Sequence, residues 1–146
     1  MDNVFFEIFS KEEREIIKKF AELRTYLPGK MVVKEGEKGD ALYFVLEGRL
    51  EIVKWLKDKL VKQLRILQKG DMFGEIAFLG ISVRSASVIA MEESELLELT
   101  KKRFDVLSEE NPAVGLKLYR LMAENMAFRL SIANEEIKKA ILAVLE

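Results

Sequence analysis

Met31-Val32-Val33, Gly36-Glu37-Lys38-Gly39-Asp40, Leu42-Tyr43-Phe44-Val45-Leu46 and Gly48 follow one another closely, and this stretch decides the fold. Short apolar runs rich in Val, Leu and aromatic residues alternate with glycine-bearing turns, which is the texture of short β-strands. The texture continues to Leu99. Leu50 and Ile52 open a second alternating segment, Leu64 and Ile66 mark a third, and Lys69-Gly70-Asp71 supplies a turn. Val88-Ile89-Ala90 and Leu96-Leu97-Glu98-Leu99 complete the set. Many short strands at regular spacing predict a β-sandwich or a jelly-roll (double-stranded β-helix) barrel.

Outward from the strands the period changes from two to that of a helix. Ser10 with Glu13 forms a capping box, and Ile16, Ile17, Phe20 and Leu23 supply an apolar face, so residues 10–23 read as a helix that Pro28-Gly29 terminates. Thr100 can cap a short helix carrying Phe104 and Leu107. Asn111-Pro112 then reads as an N-cap followed by proline at the first helical position. No later proline interrupts the chain, which predicts a helix of about 34 residues, far above the mean length. The expected class is therefore α+β, mainly β. Residues 1–110 form the β-roll with its N-terminal helix, and residues 111–146 form a long C-terminal dimerisation helix.

That helix carries a heptad seam. Met126, Leu130, Ala133, Ile137, Ala140 and Val144 recur at alternating steps of four and three. A helix of this length overhangs a barrel of this size, so the seam through residues 126–144 predicts a homodimer.

Composition excludes several function classes. The 146 residues include no His and no Cys, which removes Ser–His and Cys–His nucleophiles, the usual zinc ligands and disulfides. Lys and Arg total 24 against 25 Asp and Glu, a balance unsuited to coating nucleic acid. Lys54, Lys57, Lys59, Lys62, Arg65 and Lys69 are clustered, but strand alternation puts most of them on the solvated face of a hairpin. The N-terminus lacks the charged and apolar regions of a signal peptide, and no apolar run is long enough to span a bilayer. A cytoplasmic protein with no membrane partner and no metal is expected.

The chemistry lies between Gly70 and Val88. Gly74 allows the backbone to approach a ligand, and the spacing of residues 75–80 is compatible with a helical turn whose free N–H groups face an anion. Arg84 with backbone donors suits a single phosphate, and a nearby carboxylate, Glu75, suits a hydroxyl donor. Spacing alone leaves a second reading open, in which Glu75 and Arg84 are an ordinary ion pair at a strand edge.

Phe73-Gly74-Glu75-Ile76-Ala77 followed by Arg84-Ser85-Ala86-Ser87-Val88 resembles the phosphate-binding cassette of cyclic-nucleotide-binding domains. That family includes the bacterial catabolite activator and the regulatory subunit of cAMP-dependent protein kinase. Ile8-Phe9-Ser10, Pro28-Gly29-Lys30 before Val33-Lys34-Glu35-Gly36-Glu37, and Gly39-Asp40-Ala41-Leu42-Tyr43-Phe44-Val45-Leu46-Glu47-Gly48 agree with it. The likeness runs from about Ile8 to about Leu130. It implies a β-roll flanked by helices and a cassette formed by Gly74, Glu75, Ile76, Ala77, Arg84 and Ser85. In it Glu75 accepts the ribose 2′-hydroxyl, Gly74 lines the sugar, and Arg84 pairs with the cyclic phosphate beside Ser85 and the Ala77 N–H. The long helix closes over the base and reports occupancy.

Base contacts are expected from that helix. Ala133-Asn134 occupy the positions of an adenine-reading Thr-Ser pair in the catabolite activator. Asn134 can donate and accept, and Arg129 lies one turn earlier. The ligand implied is cAMP in preference to cGMP, with no other cofactor and no catalytic residues. A single Arg balances the one charge of a cyclic phosphodiester, whereas a triphosphate demands more cations, and no P-loop pattern is present. The alternative is a dimerisation module of the same fold that binds no ligand. The sequence ends at Glu146 with the long helix still running, so a DNA-binding region is not expected, and output passes through the dimer or a separate effector protein.

Overall fold

In the computed structural model, which describes residues 4–80 and 83–146, eight strands form two four-stranded antiparallel sheets with five helices around them. Helices α1 (Val4–Ile8) and α2 (Lys11–Phe20) lead into strands β1 (Glu22–Tyr26), β2 (Met31–Val33), β3 (Leu42–Glu47), β4 (Arg49–Lys57), β5 (Leu60–Gln68) and β6 (Met72–Phe73). Helix α3 (Glu75–Leu79), strands β7 (Ser87–Ala90) and β8 (Ser94–Leu99), and helices α4 (Lys101–Glu110) and α5 (Pro112–Leu145) complete the chain. The sheet orders are β1-β8-β3-β6 and β2-β7-β4-β5.

Strand β3 shows how the sequence builds two cores. Its residues from Leu42 to Val45 are all buried, because helices cover one face and the second sheet covers the other. Leu42 and Phe44 join Leu97, Leu99, Phe104, Leu118 and Met122 beneath the helices. Tyr43 and Val45 point the opposite way and join Leu50, Ile52, Phe73 and Leu96 between the sheets. A period of two therefore splits one apolar run between two interiors.

The Ser10–Glu13 capping box is present, with Ser10 Oγ accepting from the Glu13 N–H at 3.1 Å and Glu13 Oε1 accepting from the Ser10 N–H at 2.9 Å. The helix it starts is shorter than the sequence predicts. It ends at Phe20, Ala21 is extended, and Leu23 lies exposed in β1, opposite Leu97 of β8. Leu23 continues the helical spacing, but an unpaired β8 edge offers a full ladder of backbone hydrogen bonds, and the ladder prevails. Helix α1 was not anticipated. It buries Phe5, whose ring lies 4.6 Å from that of Phe44.

Thr100 caps α4 by accepting from the Arg103 N–H. Helix α5 runs the 34 residues expected, with proline at its start, although the Asn111 side chain makes no cap hydrogen bond. The first half of α5 is anchored by Val114, Leu118, Leu121 and Met122. Every residue from Ser131 to Glu146 is exposed, a projection of about 24 Å at 1.5 Å per residue. The lysines of the β4–β5 hairpin are exposed as expected, and so are Trp55, Leu56 and Leu60 near its tip.

Candidate functional site

Arg84 sits in a cradle that only small residues permit. Its Nη1 donates to the Ala41 carbonyl at 3.2 Å and points toward the Gly74 carbonyl at 3.5 Å. A Cβ at Gly39 would stand 2.9 Å from Arg84 Nε, and one at Gly74 would stand 3.0 Å from Nη1 and 2.7 Å from the Ala41 oxygen. Gly74 also has φ +93°, a left-handed conformation that favours glycine. The Tyr43 ring lies beneath, with the guanidinium carbon 5.7 Å from its centre. Tyr43 in turn stacks on Phe73 and donates its hydroxyl to Glu98 Oε2 at 2.9 Å. Burial and that bond to Glu98 push the phenol pKa up.

The Arg84 backbone is held as firmly as its side chain. Its N–H donates to the Glu37 carbonyl and its carbonyl accepts from the Gly36 N–H, both at 2.9 Å. Lys54 Nζ donates to the Ser85 carbonyl at 2.7 Å while pairing with Glu35 at 3.3 Å. The Glu35-Gly36-Glu37 loop is thus the clamp that fixes Arg84. Ile81 and Ser82, between residues 74–77 and residues 84–85, lie outside the described residues.

The electrostatics of Arg84 are unusual. Only 6% of it is exposed, yet among the described residues no carboxylate lies within ion-pairing distance. Burial pushes its pKa below the ordinary arginine value, against the pull of Tyr43, Asp40 and Glu98. A buried guanidinium held by carbonyl dipoles with no carboxylate in direct contact favours the arrival of an anion.

Glu75 does not pair with Arg84, so the strand-edge ion pair left open by the spacing is not formed. Fully buried at the start of α3, Glu75 takes its partners from α5. Its Oε1 accepts from Asn125 Nδ2 at 2.8 Å and pairs with Arg129 Nη1 at 2.9 Å. Glu75 Oε2 and Arg129 Nη2 are buried without a hydrogen-bond partner. One is an acceptor and the other a donor, a combination that a hydroxyl-bearing sugar can satisfy.

Two cavities meet here. The inner one, about 40 Å³, is lined by Gly74, Ala77, Arg84, Ser85 and Arg129 among others. The N–H groups of Glu75, Ile76 and Ala77 belong to the first turn of α3 and have no carbonyl behind them. A wider cleft of about 270 Å³ shares Ile52, Ile76, Ser85, Ala86 and Arg129 with the inner cavity and extends to β5 and α5.

The structure brings Gly74, Ile76, Ala77, Arg84, Ser85 and Arg129 onto one cavity wall, with Glu75 bound to Arg129 behind it. Asn134 is exposed and lines neither cavity, whereas its neighbour Ala133 lines the outer one. Sequence reasoning missed Gly39, Ala41, Tyr43 and Asn125. Asn125 left a signal: it continues the apolar stripe of Leu118, Leu121 and Met122, where an amide needs a buried partner.

Residues 23–111 match the model of the cyclic nucleotide-binding domain. The chain belongs to that family. It is 31% identical over 121 residues to the cyclic AMP receptor protein of Thermus thermophilus, covering 83% of this chain and 56% of that protein. It is 34% identical over 101 residues to a cGMP-dependent protein kinase of Eimeria tenella, covering 69% of this chain and 10% of the kinase. Among solved structures, the catabolite activator protein of Thermus thermophilus superposes with a TM-score of 0.78 at 30% identity, covering 92% of this chain and 61% of that one. The chain therefore spans little more than half of the first relative and a tenth of the second. Among the described residues no helix is long and apolar enough to cross a membrane, and no cluster of acidic residues could hold a metal ion.

Proposed function

We propose that this chain is a cyclic-nucleotide sensor that binds a purine 3′,5′-cyclic monophosphate and passes the signal through α5 to a homodimer or a separate effector protein. One observation carries the reading. Arg84 is a buried guanidinium without a carboxylate partner among the described residues, held by backbone carbonyls beside the N-terminal turn of α3. A singly charged cyclic phosphate supplies the missing counter-charge. The sugar 2′-hydroxyl donates to Glu75 Oε2, whose other oxygen is bound by α5.

Because Asn125 and Arg129 tie α5 to Glu75, a ligand that engages Glu75 acts directly on the long helix. Beyond the domain that helix exposes Leu130, Ile137 and Val144 of the heptad seam. Their exposure at heptad spacing supports a dimer in which a second copy would cover them. The names of the two relatives support opposite ligands, cAMP and cGMP, at similar identity.

A melting scan with cAMP, cGMP and 5′-AMP tests the reading. Either cyclic nucleotide at a hundredfold excess over Kd should add about 2.7 kcal/mol of stability, and 5′-AMP far less. No shift with cAMP or cGMP at millimolar concentration defeats the sensor and favours a dimerisation module with a silent pocket.

A further inference from the structure

The β4–β5 hairpin outruns the sheet it belongs to. Strand β4 is paired with β7 only as far as Val53, and beyond that point β4 and β5 pair with each other alone, out to Lys57 and Leu60. Every residue from Lys54 to Leu64 is exposed. A two-stranded ribbon has no interior in which to hide side chains. Yet this one carries Trp55, Leu56, Leu60 and Val61, each between 40% and 60% exposed. These occupy both faces. Trp55 and Val61 are cross-strand partners on one face, Leu60 is the next residue along β5 and turns to the other, and Leu56 sits at the irregularity between Trp55 and Lys57.

Lys54, Lys57, Lys59 and Lys62 surround these side chains, and Asp58 is the one acidic residue among them. Lys54 is occupied at the root of the ribbon, where its Nζ lies 3.3 Å from Glu35 Oε2 and donates to the Ser85 carbonyl at 2.7 Å. The Trp55 N–H donates to the other oxygen of Glu35 at 3.1 Å, so Glu35 holds the root in place. Among the described residues Lys57, Lys59 and Lys62 form no ion pair. The chain as a whole carries a net charge of −1, so acidic groups prevail outside this hairpin. A negatively charged surface therefore attracts the hairpin and repels the rest of the molecule.

We infer that the tip of this hairpin docks on an anionic phospholipid surface. Trp55, Leu56, Leu60 and Val61 enter the headgroup layer, while Lys57, Lys59 and Lys62 lay their stems along it and bring their ammonium groups to lipid phosphates. Indole is well suited to that layer, being apolar with one polar handle. The lack of an apolar run long enough to span a bilayer bears on crossing a membrane, not on resting against one. Apolar groups on both faces decide the occupant. A protein surface laid along the ribbon covers one face and leaves the other wet, whereas a ribbon inserted end-on is surrounded by lipid. Duplex nucleic acid would engage the lysines and leave the apolar side chains uncovered. Docking of this kind needs no cyclic nucleotide and does not depend on that reading.

Trp55 is the only tryptophan in the chain, so tryptophan emission reports on the tip alone. The full chain is mixed with vesicles of phosphatidylcholine, and with vesicles that also contain phosphatidylglycerol. Binding is read by co-sedimentation and by Trp55 emission. The expected result is co-sedimentation with the anionic vesicles and a blue shift, both lost at high salt, with phosphatidylcholine alone bound at least about tenfold more weakly. Lys57→Gln/Lys59→Gln and Leu56→Ser/Leu60→Ser should each weaken binding by about tenfold or more. All four side chains are exposed, so both variants should melt with the wild type. Failure to bind anionic vesicles overturns the inference, as does equal binding by the wild type and both variants. A blue shift that grows with protein concentration in the absence of vesicles overturns it in favour of a second copy. Binding to duplex DNA that exceeds binding to the anionic vesicles overturns it in favour of nucleic acid.

Discussion

Arg129 of α5 reaches Glu75 of α3 with 2.9 Å between Nη1 and Oε1, and this contact joins the long helix to α3. Asn125, one turn before Arg129, donates to the same oxygen at 2.8 Å. Glu75 is fully buried, so its charge is supported chiefly from α5. Removing Arg129 strands a buried carboxylate, which costs roughly 3 kcal/mol. Arg129→Met should therefore lower the melting temperature on the order of 10 °C. Adding Glu75→Gln should recover most of the loss, since a neutral amide needs no counter-ion. Equal stability of wild type and Arg129→Met in urea titrations would show that the pair does not hold α5.

Gly74 gives a second test, in which backbone conformation and ligand affinity change together. Its φ of +93° strains any L side chain, and an added Cβ would approach the Ala41 oxygen at 2.7 Å and Arg84 Nη1 at 3.0 Å. Gly74→Ala should cost about 1–3 kcal/mol in stability and weaken cyclic-nucleotide binding by displacing Arg84. Gly80 has nothing within 4 Å of its added Cβ and serves as the control. If Gly74→Ala binds as tightly as Gly80→Ala, the cradle does not position Arg84.

What could be read from the sequence was local. Strand texture, the Ser10–Glu13 cap, the turn before Asp71 and the unbroken run after Pro112 all act over a few residues, and all recur in the fold. That Gly74, Ile76, Ala77, Arg84 and Ser85 line one cavity was legible because they lie within one short segment. The partners of Glu75 were not. Spacing offered Arg84 as the nearby cation, but the actual partners, Asn125 and Arg129, come from a helix packed across α3. The same limit explains β1: Leu23 fits a helical face, and only the open edge of β8 converts it to a strand. Backbone carbonyls leave no trace in residue type, so the contact of Arg84 with Ala41 could not be anticipated.

Acid should loosen the junction between α5 and α2. Lys117 Nζ donates to Glu13 Oε1 at 2.8 Å, and this bond, aided by the Ser10 N–H, holds the Glu13 carboxyl below its ordinary value of 4.5. A carboxyl depressed on folding contributes stability that is present above 4.5 and lost as pH falls through the lower folded value. Glu13→Gln should therefore flatten the fall of stability over that interval and lower stability at pH 7. Urea unfolding from neutral pH to pH 3 checks it, and an unchanged slope in the variant would assign the acid sensitivity elsewhere.

The seam on α5 can be broken without touching the domain. Ile137 is 57% exposed and lies beyond the last buried residue of the helix. A charge there costs little in a monomer, but in a dimer it would be buried without a partner. Ile137→Asp should shift sedimentation from dimer to monomer at micromolar concentration and leave the unfolding of an isolated subunit unchanged. A wild-type monomer, or a variant that remains dimeric, removes residues 126–144 as the interface.

Arg84 separates stability from function. With no carboxylate within ion-pairing distance among the described residues, and only the more distant Asp40 and Glu98 to offset the desolvation of its guanidinium, the ligand-free protein carries a cost that an apolar chain of similar length avoids. Arg84→Met should then melt at the same temperature as the ligand-free wild type, or higher, after allowing for the lost hydrogen bond to Ala41. Its affinity for a cyclic nucleotide should fall by about a hundredfold or more, because a buried phosphate would lose its charged partner. Adding ligand should therefore reverse the order of stability, with the wild type rising above the variant. A marked loss of ligand-free stability would mean that the guanidinium serves the fold, and an affinity change below about threefold would mean that it does not hold the phosphate.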